Sequence, residues 1–445
     1  MFEVNNSLSK EDSLLYLSTA LFAIAVIHTF LCHRIRKMAE NFDEKSIAYK
    51  MFKYLGEVEL VFLFWSLVFL LSMTYLYNID KVIGYLNTVN YTESVFVFVI
   101  MCMSATKPIL QFADSCLSYT AKILQKITNV SYEIILYLTI LVLGPILGSF
   151  MTEPVSMTVV ALILYNHFLK YKGSSSFKYA TVGLLFVNVS IGGALTHFAA
   201  PPVLMVARVW NWDAFFMMHN FGWKSLLSIF ISTALVTYIF RKDIRASKSH
   251  EDRYQQRVEK QEKCPAWLII INIIFIALSV YRHESIIFTI PLFILFLGLH
   301  DITSHMQAPL KIKESFHVGL FLAGLVTLGT FQEWWLKPFI AKLNAFEMFL
   351  GATALTSVTD NAALTYLGTL VPNLPEAIKY ALVAGALAGG GLTVIANAPN
   401  PAGYGILAPA FDENSIKPLK LFLAALGPTI ITVCVFMFLP PFILP

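Results

Sequence analysis

Apolar residues in this chain fall in long blocks rather than in the periodic stripes of a soluble core, and most blocks approach the ~20 residues that a helix needs to cross hydrocarbon. Ten blocks predict crossings: Leu14 to Cys32, Val58 to Tyr77, Ser94 to Ala113, Lys178 to Ala207, Asn220 to Phe240, Cys264 to Tyr281, Ser285 to His300, Phe316 to Gln332, Ile378 to Ile406 and Leu419 to Leu439. The Ser285 block is short for a span. Two further stretches, Tyr132 to Phe168 and Pro338 to Leu370, are too long for one span, and an acidic residue among small and polar ones interrupts each. Each reads either as two crossings or as one re-entrant hairpin.

Both options return the chain to the side it came from, so the positive-inside rule applies directly. His33 to Lys53 holds six Lys and Arg, and Arg241 to Lys263 holds eight; both belong in the cytoplasm. Alternation then puts Lys107, Lys122, Lys126, Lys170, Lys172, Lys178, Lys311, Lys313, Lys417 and Lys420 inside as well, leaving eight of the 32 basic residues outside. Both termini come out external. Residues 1–240 and 264–445 share one plan of three spans, an interrupted stretch, a Gly/Pro-broken span and a last span, with 241–263 as a cytoplasmic linker. Five crossings is odd, so the second copy starts from the opposite side. The expected fold is an all-α polytopic membrane protein of two inverted repeats, with about ten transmembrane helices, two re-entrant hairpins and two broken helices.

Composition agrees: 57% of the 445 residues are hydrophobic and 13% charged, where a soluble domain carries about 25% charged. Mean hydropathy is +0.67. A net charge of +4 suggests no nucleic-acid surface, and five scattered cysteines without CxxC spacing suggest neither a disulfide framework nor a zinc site. Glu3, Glu11 and Asp12 precede the first apolar block and no small-residue cleavage site follows it, so it reads as a retained span.

The duplication is visible in letters. Thr152-Glu153-Pro154-Val155-Ser156-Met157-Thr158 matches Thr359-Asp360-Asn361-Ala362-Ala363-Leu364-Thr365 as T-[ED]-x-x-[SA]-[ML]-T. Downstream, Gly192 to Ala199 with Pro202 matches Gly389 to Ala396 with Pro399 as G-G-[AG]-L-T-x-[FI]-A-x-x-P. A carboxylate at membrane depth costs roughly 2.5 to 3.5 kcal/mol, which something must offset. Pro154 and the Asp360-Asn361 pair break helix where they stand, exposing backbone groups that are tolerated only against protein or a wet cavity. Carboxylate, hydroxyl and carbonyl together suit a small hard cation. Thr152, Thr158, Thr359 and Thr365 supply hydroxyls, the small residues around Thr196 and Thr393 invite unwound segments, and Asn397 and Asn400 add side-chain carbonyls. Plainer readings stand beside these: either acid as a helix N-terminal charge in a surface loop, the glycines as packing residues, and His197 as a structural histidine.

At these residues the sequence resembles the ion transporter superfamily, which holds NhaD-type sodium/proton antiporters, the arsenite pump and sodium-coupled citrate and dicarboxylate carriers. GGALTHFAAPP and GGLTVIANAPNP, with the Thr-Glu-Pro and Thr-Asp-Asn stretches, look most like a bacterial family described as putative sodium/proton antiporters. The resemblance covers nearly the whole chain. It implies a multi-pass protein of the bacterial inner membrane, working as an elevator-type homodimer in the bilayer, with Na⁺ near two hairpin tips and no cofactor. Carried over, the tip residues are Ser149, Thr152, Glu153 and Thr158 in one half and Ser357, Asp360, Asn361 and Thr365 in the other. The carboxylate carriers place Ser-Asn-Thr at both tips, whereas here Pro154 stands opposite Asn361 in the letter match.

The leading expectation is therefore exchange of Na⁺ or Li⁺ for H⁺ at a carboxylate that binds either ion but not both, with Asp360 more sensitive than Glu153 because its half keeps adjacent amides. A sodium-coupled carboxylate or arsenite carrier is the alternative within transport; the carboxylate version requires an anion-recognising cation, for which Arg208 and Lys107 are the candidates. An intramembrane enzyme is remote, since Gly-x-Gly-Asp, HExxH and GxSxG are absent. Topology gives the first test: cysteine-accessibility labelling should find the Arg241 to Lys263 stretch cytoplasmic and the Thr369 to Ala377 loop external. Labelling of both from one side refutes the inverted repeat.

Overall fold

The computed structural model describes residues 2–170, 173–246 and 263–439, so 247–262 of the expected linker, and Lys172, lie outside the described residues. Helices make up 81% of the described residues, and no strand occurs among them. In the first half the helices are α1 (Phe2–Ala39), α2 (Ile47–Leu55), α3 (Val58–Leu76), α4 (Ile79–Thr88), α5 (Thr92–Ser104), α6 (Lys107–Ile127), α7 (Tyr132–Met151), α8 (Glu153–Leu164), α9 (Ser175–Gly192), α10 (Pro201–Ala207), α11 (Ala214–Met217), α12 (Trp223–Ile239) and α13 (Arg241–Ala246). The second half holds α14 (Ala266–Tyr281), α15 (Ile286–Ile302), α16 (Ile312–Gly329), α17 (Glu333–Ile340), α18 (Ala345–Thr356), α19 (Asn361–Thr369), α20 (Glu376–Gly389), α21 (Asn400–Leu407) and α22 (Pro418–Phe438).

Seven segments among the described residues are long and apolar enough to cross a membrane: Asp12–Thr29, Val58–Leu76, Tyr132–Met151, Ser175–Leu195, Ala214–Ile239, Ile312–Ile340 and Pro418–Phe438. The expected Ser94 to Ala113 span is not one helix. The chain leaves α5 at Ala105 and restarts at Thr106, where Pro108 in the first turn of α6 favours a helix start and disfavours continuation from before it. On α6 the buried residues Ile109, Ala113, Leu117 and Ala121 recur every fourth position while Lys107, Lys122 and Lys126 lie elsewhere, the pattern of a helix buried along one face. The α4 and α5 pair is bent by 66°. The Cys264 and Ser285 blocks form helices of 16 and 17 residues, below the length of the seven.

The helices pack in two groups. In one, α16 lies against α3 and α5, α3 against α1, and α14 and α15 against α5. In the other, α7 packs on α8 and α9, α18 on α20, and α22 on α9 and α12. Packing between the halves is reciprocal: α10 rests on α19, and α21 rests on α8. Without a hydrophobic driving force in lipid, such contacts depend on close approach. A Cβ at Gly324 on α16 would lie 2.4 Å from the Leu63 amide nitrogen of α3.

That contact is testable. Gly324→Leu should lower the melting temperature of the purified protein by the equivalent of about 1 to 3 kcal/mol, the usual cost of overpacking. Gly298→Leu, where nothing lies within 4 Å, should leave it unchanged, and equal melting of the two variants refutes the α3/α16 contact.

Candidate functional site

The first interrupted stretch folds back on itself. Ser156 Oγ on α8 donates to the Gly144 carbonyl of α7 at 2.8 Å, and a single residue, Thr152, makes the turn with φ 77° and ψ 149°. A β-branched side chain rarely takes such a conformation, because its Cβ crowds the backbone. Pro154 in the first turn suits a helix start. Thr152 is 4% exposed and Glu153 is fully buried, so this turn ends inside protein and Glu153 is not a surface-loop charge. The second stretch makes the α18/α19 turn through 357–360, where Val358 is exposed and Asp360 partly so.

Both broken helices break where the glycine runs predicted. After α9 the chain passes through a short 3-10 turn, is extended at Thr196, and restarts at Pro201. After α20 it stays irregular until Asn400. Each break is stitched to its own hairpin by the same two bonds. Thr196 Oγ1 donates to Ser149 O at 2.8 Å and Thr393 Oγ1 to Ser357 O at 2.8 Å. Glu153 N donates to Ala199 O at 3.4 Å and Asn361 N to Ala396 O at 3.1 Å. These stitches equate Ser149 with Ser357, Thr152 with Asp360 and Glu153 with Asn361. The letter match is therefore one residue out at the hairpins, and the two acids do not occupy equivalent places.

Their surroundings differ accordingly. Asp360 is the N-cap of α19, its Oδ1 accepting from Ala362 N at 2.8 Å and Ala363 N at 3.2 Å. It faces a pocket of about 20 Å³ walled by Val26, Phe62, Phe321 and Ile395, room for about one water. Val26, Phe62 and Phe321 belong to α1, α3 and α16, so Asp360 looks into the seam between the two helix groups. Glu153 lies within one group: its Oε2 accepts from Asn397 Nδ2 at 2.9 Å, across the two halves. Its Oε1 has no hydrogen-bond partner, and neither do Thr152 Oγ1, Asn361 Oδ1 and Nδ2, Asn397 Oδ1 or Asn400 Oδ1, all buried.

The glycines serve both readings the sequence allowed. A Cβ at Gly192 would lie 2.5 Å from Pro145 O on α7, and one at Gly389 2.4 Å from Thr353 O on α18, so the first of each run seats a broken helix on its hairpin. The next residue clears space: a Cβ at Gly193 would lie 2.5 Å from Glu153 Oε1, and one at Gly390 2.2 Å from Ser190 Oγ and 2.9 Å from Asn361 Nδ2. Ser190, which donates to Leu387 O at 2.8 Å, went unnoticed in the sequence because it lies just outside the matched letters.

Other expected residues make contacts of their own. Thr158 and Thr365 donate within their own helices, to Pro154 O and Asn361 O, and Thr359 donates from the turn back to Leu355 O of α18. Ser149 Oγ is committed to Gly192 O at 2.6 Å, and Ser357 Oγ to Ala354 O at 2.6 Å. Asn400 Nδ2 closes the second break on Gly390 O and Thr393 O, both at 2.8 Å. Arg208 pairs with Glu93 at 3.7 Å and is 43% exposed. The His197 ring lies 5.2 Å from that of His283, centroid to centroid.

Buried polar atoms are almost always paired, and a buried charge is tolerated only with a partner. The unpaired Glu153 Oε1 and the unpaired oxygens of Thr152, Asn361 and Asn397 are of the donor types that a small hard cation takes; a proton on Glu153 neutralises the carboxylate without one. A family model described as "Putative Na+/H+ antiporter" matches residues 13–439. No curated protein matches the chain.

The strain at Thr152 has a measurable consequence. Thr152→Gly should raise thermal stability by about 1 kcal/mol, since a conformation of this kind costs a side-chain-bearing residue of order 1 to 3 kcal/mol. Thr152→Val keeps the branch and should not stabilise. A lower melting temperature for the glycine variant shows that the turn is relaxed.

Proposed function

The chain belongs to this Na⁺/H⁺ antiporter family, whose model spans nearly all of it, and from that premise we propose that Glu153 is the carboxylate at which Na⁺ and H⁺ compete. The protein is a multi-pass membrane transporter rather than an enzyme. The observation that carries the proposal is the buried Glu153 side chain, held through one oxygen by Asn397 and unpaired at the other. With Na⁺ present, Glu153 Oε1 and the oxygens of Thr152, Asn397 and Asn361 coordinate it, and the ion neutralises the carboxylate. When Na⁺ leaves, the same carboxylate takes a proton, because an ionised group in so dry a place is costly. Either ion discharges the site, so the loaded site can move and the empty charged one is held back. Li⁺, smaller and equally hard, fits the same donors.

Asp360 has a different part. Its cap holds the second hairpin in shape, and its position against α1, α3 and α16 puts it where one helix group slides past the other in an elevator movement. The recurrence of the same stitches in both halves supports an inverted repeat. A homodimer in the bacterial inner membrane with external termini completes the reading. An organic-anion carrier is disfavoured because Arg208 is engaged with Glu93 and the buried cluster presents oxygens.

This reverses the ranking drawn from the letters. In proteoliposomes carrying an internal pH dye, Glu153→Gln should abolish Na⁺-driven proton movement, at least a hundredfold, with folding intact. Asp360→Asn, which caps a helix as well as aspartate does, should keep measurable exchange. Normal exchange in Glu153→Gln sinks the mechanism. Adding Na⁺, Li⁺ or K⁺ in turn reads selectivity from the same assay.

A further inference from the structure

Lys224 on α12 is fully buried. Its Nζ donates to Tyr380 Oη of α20 at 2.6 Å and lies 4.5 Å from the centroid of that ring. Tyr380 in turn donates to Phe436 O of α22 at 2.9 Å. No ion pair involves Lys224 among the described residues. An ammonium has three donors, and Tyr380 is the one hydrogen-bond acceptor it meets among those residues. Neither the exchange site nor the resemblance accounts for an ionisable group placed so deep.

The helix that carries it has a second peculiarity. Ser225, Ser228 and Ser232 are all at most 1% exposed, and none of their hydroxyls has a partner. Hydroxyls in helices usually donate to the carbonyl one turn back, as Thr237 does to Thr233 O at 2.7 Å and Thr432 to Pro428 O at 3.0 Å. These serines do not. Their spacing of three and four puts them on one face. On α22, which packs against α12, Thr429 Oγ1 is also buried and unpartnered, and it stands seven residues from Phe436, on the same face. Lys224 near the start of α12 meets the end of α22 through Tyr380, so the two helices run antiparallel. Hydroxyls one turn apart are separated by about 5 Å, a gap that one water bridges with two hydrogen bonds of about 2.8 Å.

At its inner end the seam reaches Asn188 of α9. Asn188 Nδ2 donates to Thr233 Oγ1 at 2.9 Å and to Leu141 O at 2.9 Å, while its Oδ1 is unpartnered. Five residues on, roughly 7 Å along the helix, is Gly193, against which the Glu153 carboxylate lies. We propose that the α12/α22 seam binds a file of internal water and carries protons between Lys224 and the neighbourhood of Glu153. Each oxygen in the file accepts one proton and passes one on, so nothing but the proton is displaced. The conducting role rests on the exchange reading; the water file does not.

X-ray radiolytic labelling of the purified full-length protein, read by mass spectrometry, tests the file directly, because radicals formed from internal water mark side chains that bulk solvent does not reach. Tyr380 and Phe436 should be labelled despite their burial. The combined substitution Ser228→Ala, Ser232→Ala and Thr429→Val, which removes hydroxyls without adding bulk, should cut that labelling several-fold. In proteoliposomes the same variant should slow Na⁺-driven proton movement at least tenfold while leaving the Na⁺-dependent rise in melting temperature unchanged. Absence of labelling at Tyr380 and Phe436 in the unaltered protein overturns the water file whatever the transport assay gives. Lost labelling with an unchanged exchange rate overturns the proton route. If the unaltered protein exchanges no Na⁺ for H⁺, the proposed function falls, and labelling still judges the file.

Discussion

A single carboxylate, fully buried inside the protein, is the constraint on which the arrangement around it depends. In the proposed exchange Glu153 is discharged by a proton or by a cation, and residues of both halves surround it. The strained turn at Thr152 delivers the acid to the interior. Gly193 gives up its side chain so that the carboxylate can lie against the broken helix. Asn397 crosses from the other half to hold one oxygen and leave the other unpaired. Reciprocal packing of α10 on α19 and of α21 on α8 locks the two halves together around that point, so the acid depends on both of them.

The two halves answer the same geometric problem with different chemistry. Stitched by equivalent bonds to equivalent breaks, Glu153 and Asn361 hold corresponding places, one an acid and one an amide. The acid of the second half sits one residue earlier and is turned away to cap α19. On the proposed mechanism, a site with both acids at the cluster would have to discharge two buried charges for each movement, whereas one acid and one amide leave a single charge for an ion to neutralise.

Much of this was legible in the letters, since hydropathy blocks and helix breakers act locally. The glycine runs marked both breaks, and the Thr-Glu-Pro and Thr-Asp-Asn stretches marked both tips. What failed depended on the third dimension. Ser94 to Ala113 is apolar enough to cross, yet Pro108 restarts the helix and turns it along a buried face. Letters aligned Glu153 with Asp360 because both follow threonine, whereas the breaks choose their partners by backbone hydrogen bonds, which do not read side chains. Asp360-Asn361 reads equally well as a ligand pair or as a cap followed by a helix start. Which one applies is decided by where α19 begins, and that shifts by one residue without any change in composition.

The equivalence of Thr152 with Asp360 leaves the two hairpin tips mechanically unlike. One tip is held in a backbone conformation that its side chain resists, and the other lies in a relaxed extended conformation, φ −68° and ψ 137°, secured by two capping bonds. Loosening the first hairpin releases stored strain; loosening the second breaks bonds that water can replace. The two tips are thus unequal mechanical elements, a spring in one half and a latch in the other. If the proposed inverted repeat sets these hairpins toward opposite faces of the membrane, the transporter need not open with the same ease in both directions.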